Sequence, residues 1–190
     1  TAREFTGTIG VPIPSTRMRI LDDEGQPLPT GQPGEIAIQG LQVMAGYWQR
    51  PDETAKVMLP GGWFRTGDIG VMDERGYFKI VDRKKDMIIS GGFNVYPVDI
   101  EAVLRQHPQV AECAVVGVSS RSWGETPVAY VVLRSGAATQ PSESELMHWV
   151  NERVGKVQRL SGLVLLDALP RSEIGKVLKR ELRERHPPLP

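Results

Sequence analysis

Two of the residues best suited to chemistry follow successive predicted strands. Thr66-Gly67-Asp68 places a carboxylate just past a glycine turn, where it could accept two hydrogen bonds from a sugar diol. The commoner role of such an aspartate is to bond its own backbone in a turn. Arg83 follows the next strand and would reach the same ligand if a hairpin brings the strand ends together. Its alternative is a surface ion pair with Asp82 or Asp86, which would contribute little.

A third stretch reads Ser-Gly-Gly-Phe-Asn over residues 90–94. Gly91 and Gly92 can adopt dihedrals closed to other residues, so the backbone from there through Phe93 and Asn94 could line an extended ligand. A solvated loop before a helix has the same local pattern. The pattern alone therefore leaves both interpretations open.

The fourth stretch, residues 169–176, is rich in turn residues and presents Lys176 beside Gly175 just before a predicted helix. A lysine there can hold a mobile positive charge against a phosphate or carboxylate and stabilise charge that develops in a displacement reaction. The alternative is a solvated lysine at a helix start, because further cations follow at 179, 180, 183 and 185.

The elements that must position these residues change character along the chain. Up to about residue 81 the pattern predicts short strands separated by turns, so this half is expected to be all-β. Strands are predicted at 17–21 and 35–39, where Ile36 and Ile38 alternate with polar neighbours. Residues 73–76 form the predicted turn of a hairpin that leads towards Arg83.

After residue 86 the pattern alternates between helices and strands. Pro97 begins a predicted helix whose inner face carries Ile100, Val103, Leu104 and His107. The other predicted elements are strands at 110–118, 128–133 and 163–166, a helix with a capping box at 142–145, and a last helix at 177–185. Two domains are therefore expected.

Composition narrows the function classes. Lys plus Arg equals Asp plus Glu at 23 each, which argues against a general nucleic-acid or anionic-membrane surface. One cysteine, Cys113 in an apolar strand, excludes a disulfide framework and a cysteine-based metal site. The three histidines, His107, His148 and His186, lack metal-ligand spacing, so no metal site is predicted. No apolar run approaches the roughly 20 residues that span a bilayer, and the start has no signal-peptide pattern.

Taken in order and spacing, the four stretches resemble the adenylate-forming enzyme superfamily of acyl-CoA synthetases, luciferases and peptide-synthetase adenylation domains. The segments at 7–12, 40–48 and 62–68 extend the resemblance over essentially the whole chain. Residues 82–97, Asp-Arg-Lys-Lys-Asp-Met-Ile-Ile-Ser-Gly-Gly-Phe-Asn-Val-Tyr-Pro, look most like bacterial medium- and long-chain fatty acyl-CoA synthetases.

The resemblance implies a role for each candidate residue. Asp68 would hold the ribose hydroxyls of ATP or AMP with help from Arg83, and Lys176 would contact the acid and the α-phosphate during adenylation. Lys85 would be the hinge about which the smaller domain turns. Gly91, Gly92, Phe93 and Asn94 would then line the coenzyme A tunnel for thioester formation.

The fold implied is α+β, with a small β-rich, distorted barrel-like subdomain over 1–84 and a mobile α+β domain with a short mixed sheet over 85–190. The family's phosphate-binding loop is not found, so we expect part of a longer, cytoplasmic enzyme whose peripheral membrane association stays open. The chain alone is expected to be inactive, and its partner would be the N-terminal domain of the same protein. ATP with Mg²⁺, whose ligands would lie upstream, and coenzyme A are the expected cofactor and co-substrate.

Two departures from the family pattern and two other functions qualify this interpretation. Many relatives have a proline two residues after the lysine matching Lys156, where this chain has Gln158, and many carry a cation where it has Asn94. The first departure leaves a coenzyme A contact there in doubt, whereas the second is frequent among fatty acyl-CoA synthetases. The alternatives are an adenylation enzyme that loads a carrier protein and a non-catalytic binding module.

Overall fold

The computed structural model describes residues 7–135, 140–186 and 189. The chain divides into two compact units, Thr1–Lys85 and Asp86–Pro190, called here the N-terminal and C-terminal units. Within the described residues, no helix is both long and apolar enough to cross a membrane.

The N-terminal unit is built on one antiparallel sheet. Its elements are β1 (Thr16–Leu21), β2 (Gly34–Gly40), α1 (Pro51–Val57), β3 (Met58–Leu59), β4 (Trp63–Met72) and β5 (Phe78–Arg83). The long strand β4 is central, because it pairs with β2 along one edge and with β3 and then β5 along the other. Ile20, Ile36 and Phe78 form the buried core of this sheet.

The sequence predicts an all-β structure for the first 81 residues. Helix α1 shows that this prediction was wrong at Pro51–Val57. Pro51 begins the helix, Asp52 and Glu53 lie in its first turn and Lys56 in its last, an order that favours the helix dipole. None of its residues is buried. Without an apolar face the helix leaves no periodic signal in the sequence.

The C-terminal unit is built on a mixed sheet flanked by helices. Its elements are β6 (Ile88–Ser90), β7 (Phe93–Val95), α2 (Pro97–Leu104), β8 (Val110–Ser120), β9 (Gly124–Leu133), α3 (Glu143–Asn151), β10 (Gly162–Leu165) and α4 (Lys179–Arg185). Strand β9 is central: it runs antiparallel to β8 and β6 and parallel to β10. The α+β class predicted from the sequence is confirmed.

Both faces of the β8–β9 pair are buried. Val115 and Val131 join the core formed with α2 and α3, whereas Val116 and Tyr130 join a second core that includes Leu182 of α4. Covering both faces explains why these strands read as continuous apolar runs. The Tyr130 hydroxyl donates a 2.8 Å hydrogen bond to the Leu182 carbonyl, so its polar end is satisfied inside the core.

The predicted helix boundaries are wrong in two places. Helix α2 ends at Leu104, so His107 lies beyond it and packs edge-on against Trp149 with ring centroids 4.9 Å apart. Helix α4 begins at Lys179, because Val177 instead pairs with Arg171 in a short antiparallel bridge. The capping box of α3 is confirmed by reciprocal bonds between Ser142 and Glu145.

Candidate active site

The hairpin of β4 and β5 places Asp68 directly opposite Arg83. Arg83 Nε lies 3.5 Å from Asp68 Oδ1, and the side chains remain 58% and 30% exposed. They line a cleft of about 410 Å³ in the N-terminal unit, together with Thr66, Gly67, Lys84 and Lys85. The Arg83 side chain therefore faces Asp68. Separately, the backbone N–H of Arg83 donates a hydrogen bond to the Asp82 carboxylate.

A buried carboxylate holds the loop that carries Asp68. Glu35 is only 5% exposed and accepts hydrogen bonds from Arg65 Nη1 at 2.8 Å, Lys84 Nζ at 3.1 Å and the Gly67 N–H at 3.1 Å. Gly67 has a φ of +74°, a conformation that glycine adopts without steric cost. The loop is thus fixed from β2, the neighbouring strand.

The hydroxyl of Thr66 adds a second attachment to β2. It donates to the Ile36 carbonyl at 2.8 Å and accepts from the Asp68 N–H at 3.1 Å. The Asp68 backbone is therefore bonded within the loop, which leaves its carboxylate facing Arg83.

Lys84 is held by two carboxylates, Glu35 and Asp23, the latter at 2.7 Å. Burial alone would lower the pKa of Lys84, but the hydrogen bonds that Lys84 donates to Asp23 and Glu35 outweigh it, so the pKa lies above its usual value. The hydrogen bond from Lys84 holds the pKa of Asp23 below its usual value. Both groups therefore stay charged near neutral pH.

The cleft combines chemical groups suited to a ribose. The Asp68 carboxylate can accept hydrogen bonds from a vicinal diol, and Arg83 supplies donors and a positive charge. Because both side chains stay partly exposed, they remain accessible to a ligand.

In the C-terminal unit the diglycine is a two-residue hairpin turn between β6 and β7. Gly91 and Gly92 have φ values of +57° and +83°, and Ser90 pairs with Phe93 across the turn. Positive φ at both central residues is what a type I′ hairpin requires. Phe93 and Asn94 are exposed, so this part of β7 is open to a ligand.

Trp123 supports this turn and was missed by the sequence analysis. Its carbonyl accepts a 2.9 Å hydrogen bond from the Gly91 N–H. Its ring lies so close to Gly91 that a Cβ there would be 2.6 Å from Cε3 of the indole. The signal that could have identified it is the Trp-Gly pair at 123–124, which precedes the strand predicted at 128–133.

Lys176 lies in a turn that joins the Arg171–Val177 bridge. The Ser172 N–H donates to the Lys176 carbonyl at 2.8 Å, the Lys176 N–H donates to Ser172 Oγ at 3.2 Å, and Gly175 has a φ of +79°. Lys176 is exposed and takes part in none of the ion pairs found among the described residues. Its ammonium is thus presented on a well-bonded backbone.

The cations that follow Lys176 behave differently. Lys179 Nζ lies 2.9 Å from Oε1 of Glu101, a nearly buried residue of α2, and Arg183 Nη2 lies 2.7 Å from Asp86 Oδ1. These two contacts fasten α4 to the rest of the C-terminal unit. Lys176 differs from both cations, because it takes part in no ion pair among the described residues.

Other reactive groups give no support to a different chemistry. Burial raises the pKa of the half-buried Cys113 thiol to about 11, so it is a poor nucleophile at neutral pH. In the part of the chain that the structure describes, no three metal-ligating side chains cluster. The candidate residues therefore fall into three places: the Asp68–Arg83 cleft with Lys85 at its edge, the Gly91–Gly92 turn, and the Lys176 turn.

Comparison with known proteins defines the class. Residues 99–176 match the AMP-binding enzyme C-terminal domain, and residues 1–48 match the AMP-binding enzyme family. The chain therefore belongs to the AMP-binding, adenylate-forming enzymes.

Individual relatives are consistent with this class. A long-chain-fatty-acid–CoA ligase of Escherichia coli O6:H1 is 49% identical over 94% of this chain and 31% of its own length. ATP-bound MatB from Rhodopseudomonas palustris superimposes with a TM-score of 0.87 at 39% identity, over 94% of this chain and 35% of MatB. The o-succinylbenzoate CoA synthetase MenE of Bacillus subtilis, solved with its acyl-adenylate, gives 0.83 at 37% identity, over 95% and 36%. The chain thus spans about a third of the length of these relatives.

Proposed function

We propose that this chain is the C-terminal part of an ATP-dependent fatty acid–CoA ligase. The observation that carries the proposal is the pairing of Asp68 with Arg83 at an open cleft in a chain 49% identical to a long-chain-fatty-acid–CoA ligase. In the first half-reaction a carboxylate oxygen of the acid attacks the α-phosphorus of ATP. The bond between the α-phosphorus and the oxygen that bridges it to the β-phosphate breaks. Pyrophosphate departs, and an acyl-adenylate is formed.

The N-terminal unit would bind the nucleotide through its sugar. Asp68 would accept hydrogen bonds from the ribose hydroxyls, and Arg83 would hold the carboxylate in place while contacting the same sugar. Mg²⁺ accompanying ATP would take its ligands outside this chain. The Asp68–Arg83 pair would therefore bind and orient the nucleotide, without itself breaking a bond.

Lys176 would serve the adenylation step. Its ammonium is exposed and has no ion pair among the described residues, so it can approach the acid and the α-phosphate and stabilise the charge that develops on the phosphoryl oxygens.

The Gly91–Asn94 hairpin would serve the second half-reaction. The sulfur of coenzyme A attacks the acyl carbonyl and loses its proton, the bond between carbonyl and phosphate oxygen breaks, and AMP leaves. An exposed strand beside a glycine turn can lie along the narrow pantetheine chain. A rotation about Lys85 would exchange Lys176 for this hairpin, so that one nucleotide site serves both steps.

The N-terminal unit exposes large apolar side chains, which supports its being one part of a larger domain. Leu41 is 96% exposed and Trp48 is 86% exposed. Exposed apolar residues in number are typical of surfaces that another protein segment covers. We therefore propose that the active enzyme includes a further N-terminal domain. A cytoplasmic location and peripheral membrane association stay predictions.

The test is fatty-acid-dependent exchange of pyrophosphate into ATP, followed by thioester formation with free coenzyme A. The longer protein that carries this chain should catalyse both steps, and the chain alone should catalyse neither. Acyl transfer only to a carrier protein would favour the alternative adenylation enzyme. Absence of exchange with all carboxylic acids, with nucleotide binding retained, would favour a non-catalytic binding module.

A further inference from the structure

One buried carboxylate in the N-terminal unit contacts the sequence neighbours of both proposed ribose ligands. Glu35 accepts from the N–H of Gly67, which precedes Asp68, and from Lys84, which follows Arg83. We propose that Glu35 is a positioning residue for nucleotide binding: it fixes the Asp68–Arg83 pair without touching the nucleotide. This inference rests on the proposed function.

The burial and bonding of Glu35 support this role. Its side chain is 6% exposed, and its two oxygens are shared by Arg65 Nη1, Lys84 Nζ and the Gly67 N–H at 2.8, 3.1 and 3.1 Å. A buried carboxylate needs such partners, because an unpaired charge in the interior is strongly unfavourable. The position of each donor is therefore tied to that of Glu35.

The backbone explains how the loop that carries Asp68 reaches Glu35. The β2–β4 register shifts between Glu35 and Ala37, and Glu35, Ile36 and Ala37 are all buried in succession. Because Glu35 pairs with Ile69 and Ala37 with Arg65, the extra residues lie in β4 at 66–68, and this bulge brings the Gly67 N–H to Glu35. Thr66, bonded to the Ile36 carbonyl, attaches the same loop one residue further along β2.

The functional consequence follows from the pairing of β4 and β5. Asp68 and Arg83 are opposite one another, so fixing Gly67 and Lys84 fixes the spacing of the two side chains that face the ligand. Loss of the Glu35 charge would loosen both ends of this arrangement. Nucleotide affinity should then fall without any loss of a group that contacts the nucleotide.

The decisive variant is Glu35→Gln in the longer protein that carries this chain, assayed by pyrophosphate exchange. We expect the KM for ATP to rise about tenfold, while the KM for the acid stays unchanged. The matched control is Asp23→Asn, which removes the other carboxylate on Lys84 but none of the bonds to Gly67 or Arg65. It should leave the KM for ATP close to that of the wild type.

Several outcomes separate the inference from the proposed function. If Asp68→Ala raises the KM for ATP and a folded Glu35→Gln does not, the positioning role is wrong and the proposed function stands. If the wild type shows no pyrophosphate exchange, the proposed function is wrong, whatever the result for Glu35→Gln. Should Glu35→Gln not fold, Arg65→Gln removes the 2.8 Å partner of Glu35 and should raise the KM for ATP in the same direction. Unchanged KM values in folded Arg65→Gln would overturn the inference.

Discussion

Among the cations near the C-terminus, Lys176 differs from Lys179 and Arg183 because those two side chains form ion pairs. Lys179 is paired with Glu101 and Arg183 with Asp86, so their charges are committed to packing α4. Lys176 instead lies on a turn whose backbone is bonded to Ser172 and whose ammonium faces solvent. An exposed lysine on a fixed backbone can reach a ligand without breaking an existing ion pair.

Replacing Lys176 by alanine should therefore depress adenylation and spare the later step. We expect pyrophosphate exchange by the longer protein to fall about a hundredfold or more, since one preorganised charge at a developing anion is lost. Thioester formation from supplied acyl-adenylate and coenzyme A should stay near the wild-type rate.

The matched control for Lys176→Ala is Arg180→Ala. Arg180 is an exposed cation of the same segment, at 3.6 Å from Glu184 on the surface of α4. Its loss should leave both half-reactions unchanged. A Lys176→Ala variant with normal exchange would remove Lys176 from the mechanism.

The Lys84 ion pairs predict how stability changes at high pH. The pKa of Lys84 in the folded chain lies above its ordinary value of 10.5, so the stabilisation is complete below that pH and is lost as the pH rises through the folded pKa. The urea midpoint of the wild type should fall more steeply between about pH 10 and about pH 12 than that of Lys84→Gln. Lys79→Gln, which removes an exposed lysine of β5, should retain the wild-type slope. Equal slopes for the wild type and Lys84→Gln would contradict the prediction.

At the scale of elements, the β6–β7 hairpin shows what the sequence could and could not predict. The glycine pair indicated a bend, but each flanking strand has only three residues, too few to show alternation. The hairpin is held by contacts distant in sequence, from the Gly91 N–H to the Trp123 carbonyl and from the Ile89 N–H to Glu125. Strands β8 and β9, with both faces buried, were long enough to be predicted from their apolar runs.

The residues of the candidate site also differ in whether the sequence could predict them. Asp68 and Arg83 could be predicted as neighbours, because a short hairpin brings the ends of consecutive strands together. Glu35 could not, since beside Ile36 it has the pattern of a polar residue facing solvent, and its partner Gly67 reaches it only through the bulge in β4.

The two glycines of the β6–β7 turn should differ in their tolerance of alanine. Both have positive φ, which costs an alanine about 1–2 kcal/mol. At Gly91 the new Cβ would also lie 2.6 Å from the Trp123 ring, whereas at Gly92 no atom lies within 4 Å. Denaturant unfolding of the chain should therefore show a larger loss of stability for Gly91→Ala than for Gly92→Ala.

A double substitution tests the cause of that difference. Combining Gly91→Ala with Trp123→Ala removes the ring that the new methyl group would meet, so the effects should be less than additive. For Gly92→Ala combined with Trp123→Ala, additivity is expected. Additive behaviour in both pairs would mean that the ring does not restrict position 91.

For the whole molecule, the ion pairs on either side of Lys85 are consistent with its proposed role as the hinge. Lys84 is bound to Asp23 and Glu35 inside the N-terminal unit, whereas Asp86 is bound to Arg183 inside the C-terminal unit. Each unit therefore holds its own end of the connection. Lys85 lies between these attachments, in the short 3-10 helix Lys84–Asp86, and we propose that the backbone dihedrals change there.

Substituting Lys85 by proline should uncouple the two half-reactions of the longer protein. Proline holds φ near −65°, so a rotation that requires a different φ at this residue is blocked, while the orientation compatible with that value is retained. The ratio of pyrophosphate exchange to thioester formation should change about tenfold or more. Lys85→Ala removes the charge but keeps the backbone free, and should leave the ratio close to that of the wild type. If proline lowers both half-reactions in parallel while the thermal unfolding midpoint is unchanged, the exchange of Lys176 for the Gly91–Asn94 hairpin does not depend on rotation at Lys85.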